Sequence, residues 1–155
     1  FFGIAANVVS GLGAVIGGIL DDRIGSRAVI LGSLIGLIIS GTSVFVFADQ
    51  GPMTYWYFGL ALCLFVGPAQ ASSRTFVSRF TPAGREGEVF GLYQLTGRAI
   101  SFLSGTLWAL SIMAAEAAGV DKDNSTVYGI WGLIAIIAVG FVLLTRVHPR
   151  PSVID

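Results

Sequence analysis

Five stretches of this chain, residues 1–20, 28–48, 54–72, 89–114 and 127–145, hold a single charged residue between them, Arg98. Each is close to the roughly 20 apolar residues that a helix needs to cross a hydrocarbon core about 30 Å thick. In lipid, backbone groups have no water to bond, so spanning segments close their hydrogen bonds internally, as helices or as closed barrels. Apolar runs of this length point to helices. The expected fold is therefore all-α, a polytopic membrane bundle of five transmembrane helices. Composition agrees: only 12% of the residues are charged, against about 25% in a soluble domain. Most of the 21 glycines fall inside or beside apolar runs, where they let helices approach closely.

The polar segments between the runs set an orientation. With five spans, alternate loops face opposite sides. One side carries Arg23, Arg27, Arg74, Arg79, Arg85, Arg146 and Arg150, and the other only Lys122. Basic loops stay in the cytoplasm, so the C-terminal tail, residues 147–155, is expected inside. The Tyr55-Trp56-Tyr57-Phe58 run at the start of the third span has the character of an interfacial aromatic belt. Asn124-Ser125-Thr126 on the external side matches the N-glycosylation triplet, which is common by chance.

Other classes of function find little support. Net charge is zero, so nothing suggests a nucleic-acid partner. Cys63 is the sole cysteine, and His148, the sole histidine, lies beyond the last apolar run beside two prolines. No metal cluster, no Ser/His/Asp arrangement and no paired carboxylates within a span can be assembled. The chain reads as a non-enzyme without a cofactor.

Gly18-Ile19-Leu20-Asp21-Asp22-Arg23-Ile24-Gly25-Ser26-Arg27 joins the first two spans. It resembles the G-x-L-x-D-R-x-G-R-K loop of the major facilitator superfamily, with Ser26 where a basic residue is usual. In this reading Gly18 permits close packing, Asp22 sits near the N-terminus of the next helix and pairs with a base across the joint, and Gly25 makes the turn. Arg23 and Arg27 complete the loop. The superfamily carries this loop between helices two and three and again between eight and nine. Three further spans and a cytoplasmic tail fit helices 8–12, the C-terminal half of a twelve-helix transporter. Helices two to six would also end inside, but would lead into a long central loop. Phe1 opens directly into apolar sequence without an initiator Met, so a fragment of something longer is expected.

A second stretch narrows the resemblance. Gly67-Pro68-Ala69-Gln70-Ala71-Ser72-Ser73-Arg74-Thr75 is followed by a loop with Pro82, then by Val89-Phe90-Gly91-Leu92-Tyr93 and Thr96-Gly97-Arg98-Ala99-Ile100-Ser101-Phe102-Leu103-Ser104-Gly105. Over about residues 65–105 this is similar to the vacuole-effluxer-like branch, related to autophagy-linked amino-acid exporters of fungal vacuoles. Thr75, Val89 and Arg98 replace the branch's usual Ser, Phe and Lys. The resemblance implies a secondary transporter for small solutes, with amino acids a candidate cargo.

Candidate site residues follow. Arg98, about 15 Å along the fourth span from Glu88, sits where a cation costs at least about 2.5 kcal/mol unless it finds a partner. A substrate anion, an acid in the missing N-terminal half, or snorkelling to the cytoplasmic face would each answer that need. Gln70, Ser73, Tyr93 and Gln94 are candidates to line a cavity, although Gln70 and Ser73 equally suit interhelical hydrogen bonds. Arg74 is expected to pair with Glu86 or Glu88 across the cytoplasmic loop as a gate. The alternative to transport is a scaffold or assembly subunit that retains the fold within a larger membrane assembly.

Overall fold

A computed structural model describes residues 1–47 and 51–147, with side chains at all of these except 52, 54, 55 and 122–124. The loop around Asp49 and Gln50 and the tail with His148 and Arg150 lie outside the described residues. So do the side chains of Lys122 and Asn124.

Five helices account for nearly all of it: α1 (Phe2–Ile24), α2 (Ser26–Val46), α3 (Pro52–Phe80), α4 (Glu86–Ala117) and α5 (Lys122–Arg146). Their interiors contain one proline, Pro68 in α3. A single residue, Gly25, separates α1 from α2, at φ 85°. That left-handed conformation is open to glycine and strained for other residues. It reverses the chain at once, so the two helices run antiparallel. Pro52 opens α3, where its missing N–H is no loss.

The helices overrun the expected apolar spans. The largest difference is in α3, which continues eight residues past Ser72 to Phe80. Polar side chains in this stretch satisfy themselves on the helix: the hydroxyls of Thr75, Ser78 and Thr81 donate to Ala71 O, Thr75 O and Val77 O. Nothing in residues 73–80 breaks a helix, and loss of apolarity is not a stop signal.

α3 is the centre of the packing, lying against α1 on one side and α2 on another; α5 packs on α2 and α4. α1 and α3 run parallel. The Phe2 ring meets Trp56 edge-on at one end, with centroids 5.2 Å apart. Asp21 meets Arg79 at the other. Between them the backbones touch. A Cβ on Gly13 or Gly67 would strike the Leu64 or Ser10 carbonyl oxygen, and one on Gly17 would lie 2.7 Å from Pro68 Cα. This is the small-residue contact that membrane helices use to pack without a hydrophobic driving force.

α1, α2, α4 and residues 125–146 of α5 are long and apolar enough to cross a membrane. α3, about 43 Å long at 1.5 Å per residue, falls short on apolarity because of Gln70, Ser72, Ser73 and Arg74. Ser72 is buried and Ser73 half-buried, whereas Gln70 and Arg74 are exposed and need water or further protein beside them. The outer helices expose apolar side chains: Phe102 is 81% exposed and Leu92 65%. Exposed apolar surface on this scale requires lipid or further protein around it.

Candidate functional site

Two polar regions stand out, one at the end where α1, α3 and α5 finish, the other near mid-height between α1 and α3.

At the first, Asp21 is 4% exposed. Its Oδ1 accepts a 2.7 Å bond from the Ser26 hydroxyl and lies 3.3 Å from Arg79 Nη2. One carboxylate thus ties α1 to the first residue of α2 and the last turn of α3. Here the structure corrects the reading of the loop. Asp22, expected in that role, is exposed and makes no such contact. Gly18 faces open space, while Gly13 and Gly17 make the close approach. The reason is rotational. Residues 13, 17 and 21 fall four apart on the face toward α3, and a step of one residue turns a side chain about 100° away. Arg79 was missed along with Asp21. The four-residue spacing from Gly13 to Asp21 was the available signal.

Arg27 turns the other way. Its Nη2 donates to Thr145 O at 2.8 Å and to Leu144 O at 3.5 Å. It caps the C-terminus of α5, whose last carbonyls lack intrahelical partners and carry the negative end of the helix dipole. Arg23 is exposed. In the loop before α4, Arg85 holds Glu88 with contacts of 2.7–2.9 Å, and the Gly84 N–H donates to Glu86 Oε1 at 3.0 Å. Both carboxylates are thereby engaged within their own loop. Neither pairs with Arg74, against expectation.

Arg74 instead lines the second region. With Gly67, Gln70 and Ala71 it forms one wall of a cavity of about 340 Å³; Asn7, Ser10, Gly11 and Ala14 form the other. Each wall follows the i, i+3, i+4, i+7 spacing of one helical face. The cavity is an open groove beside the Gly67–Ser10 contact that crosses the middle of the pair from the N-terminal half of α1 to the C-terminal half of α3, and the side chains of Asn7, Gln70 and Arg74 along it are exposed. Side chains on a helix tilt toward its N-terminus, so Arg74 leans back from the basic end toward Gln70. Its volume is at the small end of the 300–1,000 Å³ typical of ligand sites. Asn7 and Ser10 had not been singled out: in an apolar run, two small polar residues read as packing.

Ser73 and Tyr93 are brought together. Their hydroxyls lie 2.8 Å apart, and Ser73 also donates to Gln70 O at 2.9 Å. This links α3 to α4, which otherwise touch little. Gln94 and Arg98 are not brought to the cavity. Both are exposed on α4, and Gly91, Gly97 and Gly105 on that helix likewise face open space. Arg98 has no hydrogen bond or ion pair to another described residue.

The sequence profile of the family described as Vacuole effluxer Atg22 like matches residues 2–152. The chain belongs to that family. A relative within the same reach is a probable nitrate/nitrite transporter, NarK2, of Mycobacterium tuberculosis, 33% identical over 146 residues, covering 89% of this chain and 33% of the relative. Another is an uncharacterized transporter of the major facilitator type, YxiO, of Bacillus subtilis, 26% identical over 94% of this chain and 32% of its own length. The chain therefore spans about a third of these relatives. No solved structure matches it. Membership of the Atg22-like family, with its several membrane-length helices, makes this a multi-pass membrane protein of a transporter family rather than an enzyme.

Proposed function

We propose that this chain forms helices 8–12 of a secondary active transporter, and that the cavity between α1 and α3 is part of the path by which a small solute crosses. The observation that carries this reading is the cavity's position. It gathers Asn7, Ser10 and Gln70 about half-way along two membrane helices, with Arg74 nearer the basic end; Asn7, Gln70 and Arg74 are exposed there, and polar side chains left open at membrane depth need a ligand, water or a partner beside them. Secondary transporters bind near the bilayer midplane between two bundles, and expose the site to each side in turn. The other bundle, the N-terminal half, would close the cavity over the bare faces of α1 and α4. The basic end, with Asp21–Arg79 and Arg27 on α5, would lie in the cytoplasm, supported by the arginine bias of the loops.

The cargo follows from two different hints. The resemblance to vacuolar effluxers points to amino acids, and the name of the NarK2 relative points to nitrate. The test is reconstitution of the full-length parent in liposomes and uptake of labelled amino acids or nitrate. Saturable uptake, lowered about tenfold or more by Asn7→Leu with Gln70→Leu, is the expected result. If the parent moves neither solute, nor any other small solute tried, the chain belongs to a scaffold that retains the fold.

A further inference from the structure

We infer that Arg74 is the anion-binding residue of the α1–α3 cavity, and that the solute it takes carries a carboxylate or an inorganic oxyanion. This rests on the transport reading above. Among the described residues, Arg74 makes no hydrogen bond or ion pair, yet the neighbouring carboxylates are committed elsewhere. Asp21 holds Arg79 and Ser26, Glu88 holds Arg85, and Glu86 accepts from Gly84. The cavity itself contains no acid to neutralise the cation. Its other polar groups suit an anion as well. Gln70 offers an amide N–H₂, Ser10 a hydroxyl, and Asn7 one amide N–H beyond the one it donates to Gly3 O at 2.8 Å. A planar guanidinium presents paired donors that match the two oxygens of a carboxylate or of a flat oxyanion, and charge-assisted bonds of this kind are about twice as strong as neutral ones.

At about 340 Å³ the groove between α1 and α3 has room for a small solute. Arg74 reaches it from the basic end of the bundle, six residues or about 9 Å from the end of α3 at Phe80. An anion arriving from that end meets Arg74 before it meets Asn7 and Ser10.

The experiment uses proteoliposomes of the full-length parent loaded for counterflow with a labelled amino-acid mixture or, in a parallel set, with labelled nitrate. Competitors are unlabelled amino acids, the same amino acids as carboxamides, and nitrate. The wild type is expected to prefer the carboxylates, or nitrate, over the uncharged-end carboxamides by roughly tenfold or more, about 1.4 kcal/mol. Competition by carboxylates alone identifies an organic acid; competition by nitrate identifies an inorganic oxyanion. Arg74→Gln should abolish the preference, and Arg74→Lys should restore part of it, because the charge returns without the fork. A structural role for Arg74 would lower activity without changing this ratio. The inference is overturned if the wild type moves solutes but treats acids and carboxamides alike, or if Arg74→Gln keeps the wild-type preference. If Arg74→Gln does not fold, the wild-type ratio and Arg74→Lys still decide. A wild type that moves no solute in either charge state overturns the transport reading instead.

Discussion

Asp21 and Asp22 are adjacent acids with opposite fates. Asp21 is 4% exposed and holds two partners; Asp22 is exposed. Replacing Asp21 by Asn keeps its shape but leaves a neutral amide against Arg79 and Ser26. Arg79 is 48% exposed and recovers much of its solvation in water, so the loss is expected to be about 1–2 kcal/mol rather than that of a fully buried pair. Asp22→Asn should change stability by less than about 0.5 kcal/mol. Thermal unfolding of the detergent-solubilised full-length protein compares the two, and a larger effect at Asp22 would reverse the assignment. The sequence alone favoured Asp22 because the family's loop motif places its acid there. Only rotation about α1 distinguishes the two positions, and the motif carries no information on which face α3 occupies.

Helices are the level at which the sequence was most legible, because a charge-free run of some 20 residues leaves a chain in lipid few alternatives. What it missed is how the helices meet. Pro68 reads as a defect in an apolar run, yet its ring fills the hollow that Gly13 and Gly17 leave on α1. A methyl group at Gly67 meets the Ser10 carbonyl, which cannot move without shifting α1. Gly67→Ala is thus expected to cost about 2–3 kcal/mol, the upper range for overpacking, while Gly18→Ala, facing open space, should change stability by under about 1 kcal/mol. Denaturation midpoints of the two variants check this. Arg27 acts between elements in the same way. Arg27→Gln should fray the end of α5, with faster amide exchange around Leu144 to Val147 and a stability loss of about 0.3–1 kcal/mol.

At the scale of the whole molecule, α1, α2 and α3 make one packed group and α4 with α5 another, joined through α2 and α5 and, more lightly, through Ser73 and Tyr93. A double-mutant cycle with Ser73→Ala and Tyr93→Phe should give a coupling of about 0.5–1.5 kcal/mol; zero coupling would mean that the two hydroxyls do not meet in the membrane. Orientation is tested at this scale as well. With Cys63 replaced by Ala, a cysteine introduced at Gly84 and one at Ala118 should react with a membrane-impermeant maleimide from opposite faces of the bilayer, Gly84 from the cytoplasmic one. Labelling of both from one face would overturn the orientation.

The sequence by itself determined that this chain is a bundle of membrane helices and which end is basic, though not where α3 stops, eight residues beyond its apolar run. Those properties are written in runs of single residue types, and lipid enforces them without reference to neighbours. It also pointed to the transporter family through short motifs. The tertiary structure decided which polar residues matter together. Asn7 and Arg74 are 67 positions apart in the chain and share a cavity because glycines let α1 lie directly on α3. Arg98, the most conspicuous residue in the sequence, lies on a bare face of α4 away from that cavity. That a charge falls within an apolar run is read from the sequence, but what it costs and what it does depend on what faces it, and that is fixed by helix rotation and packing.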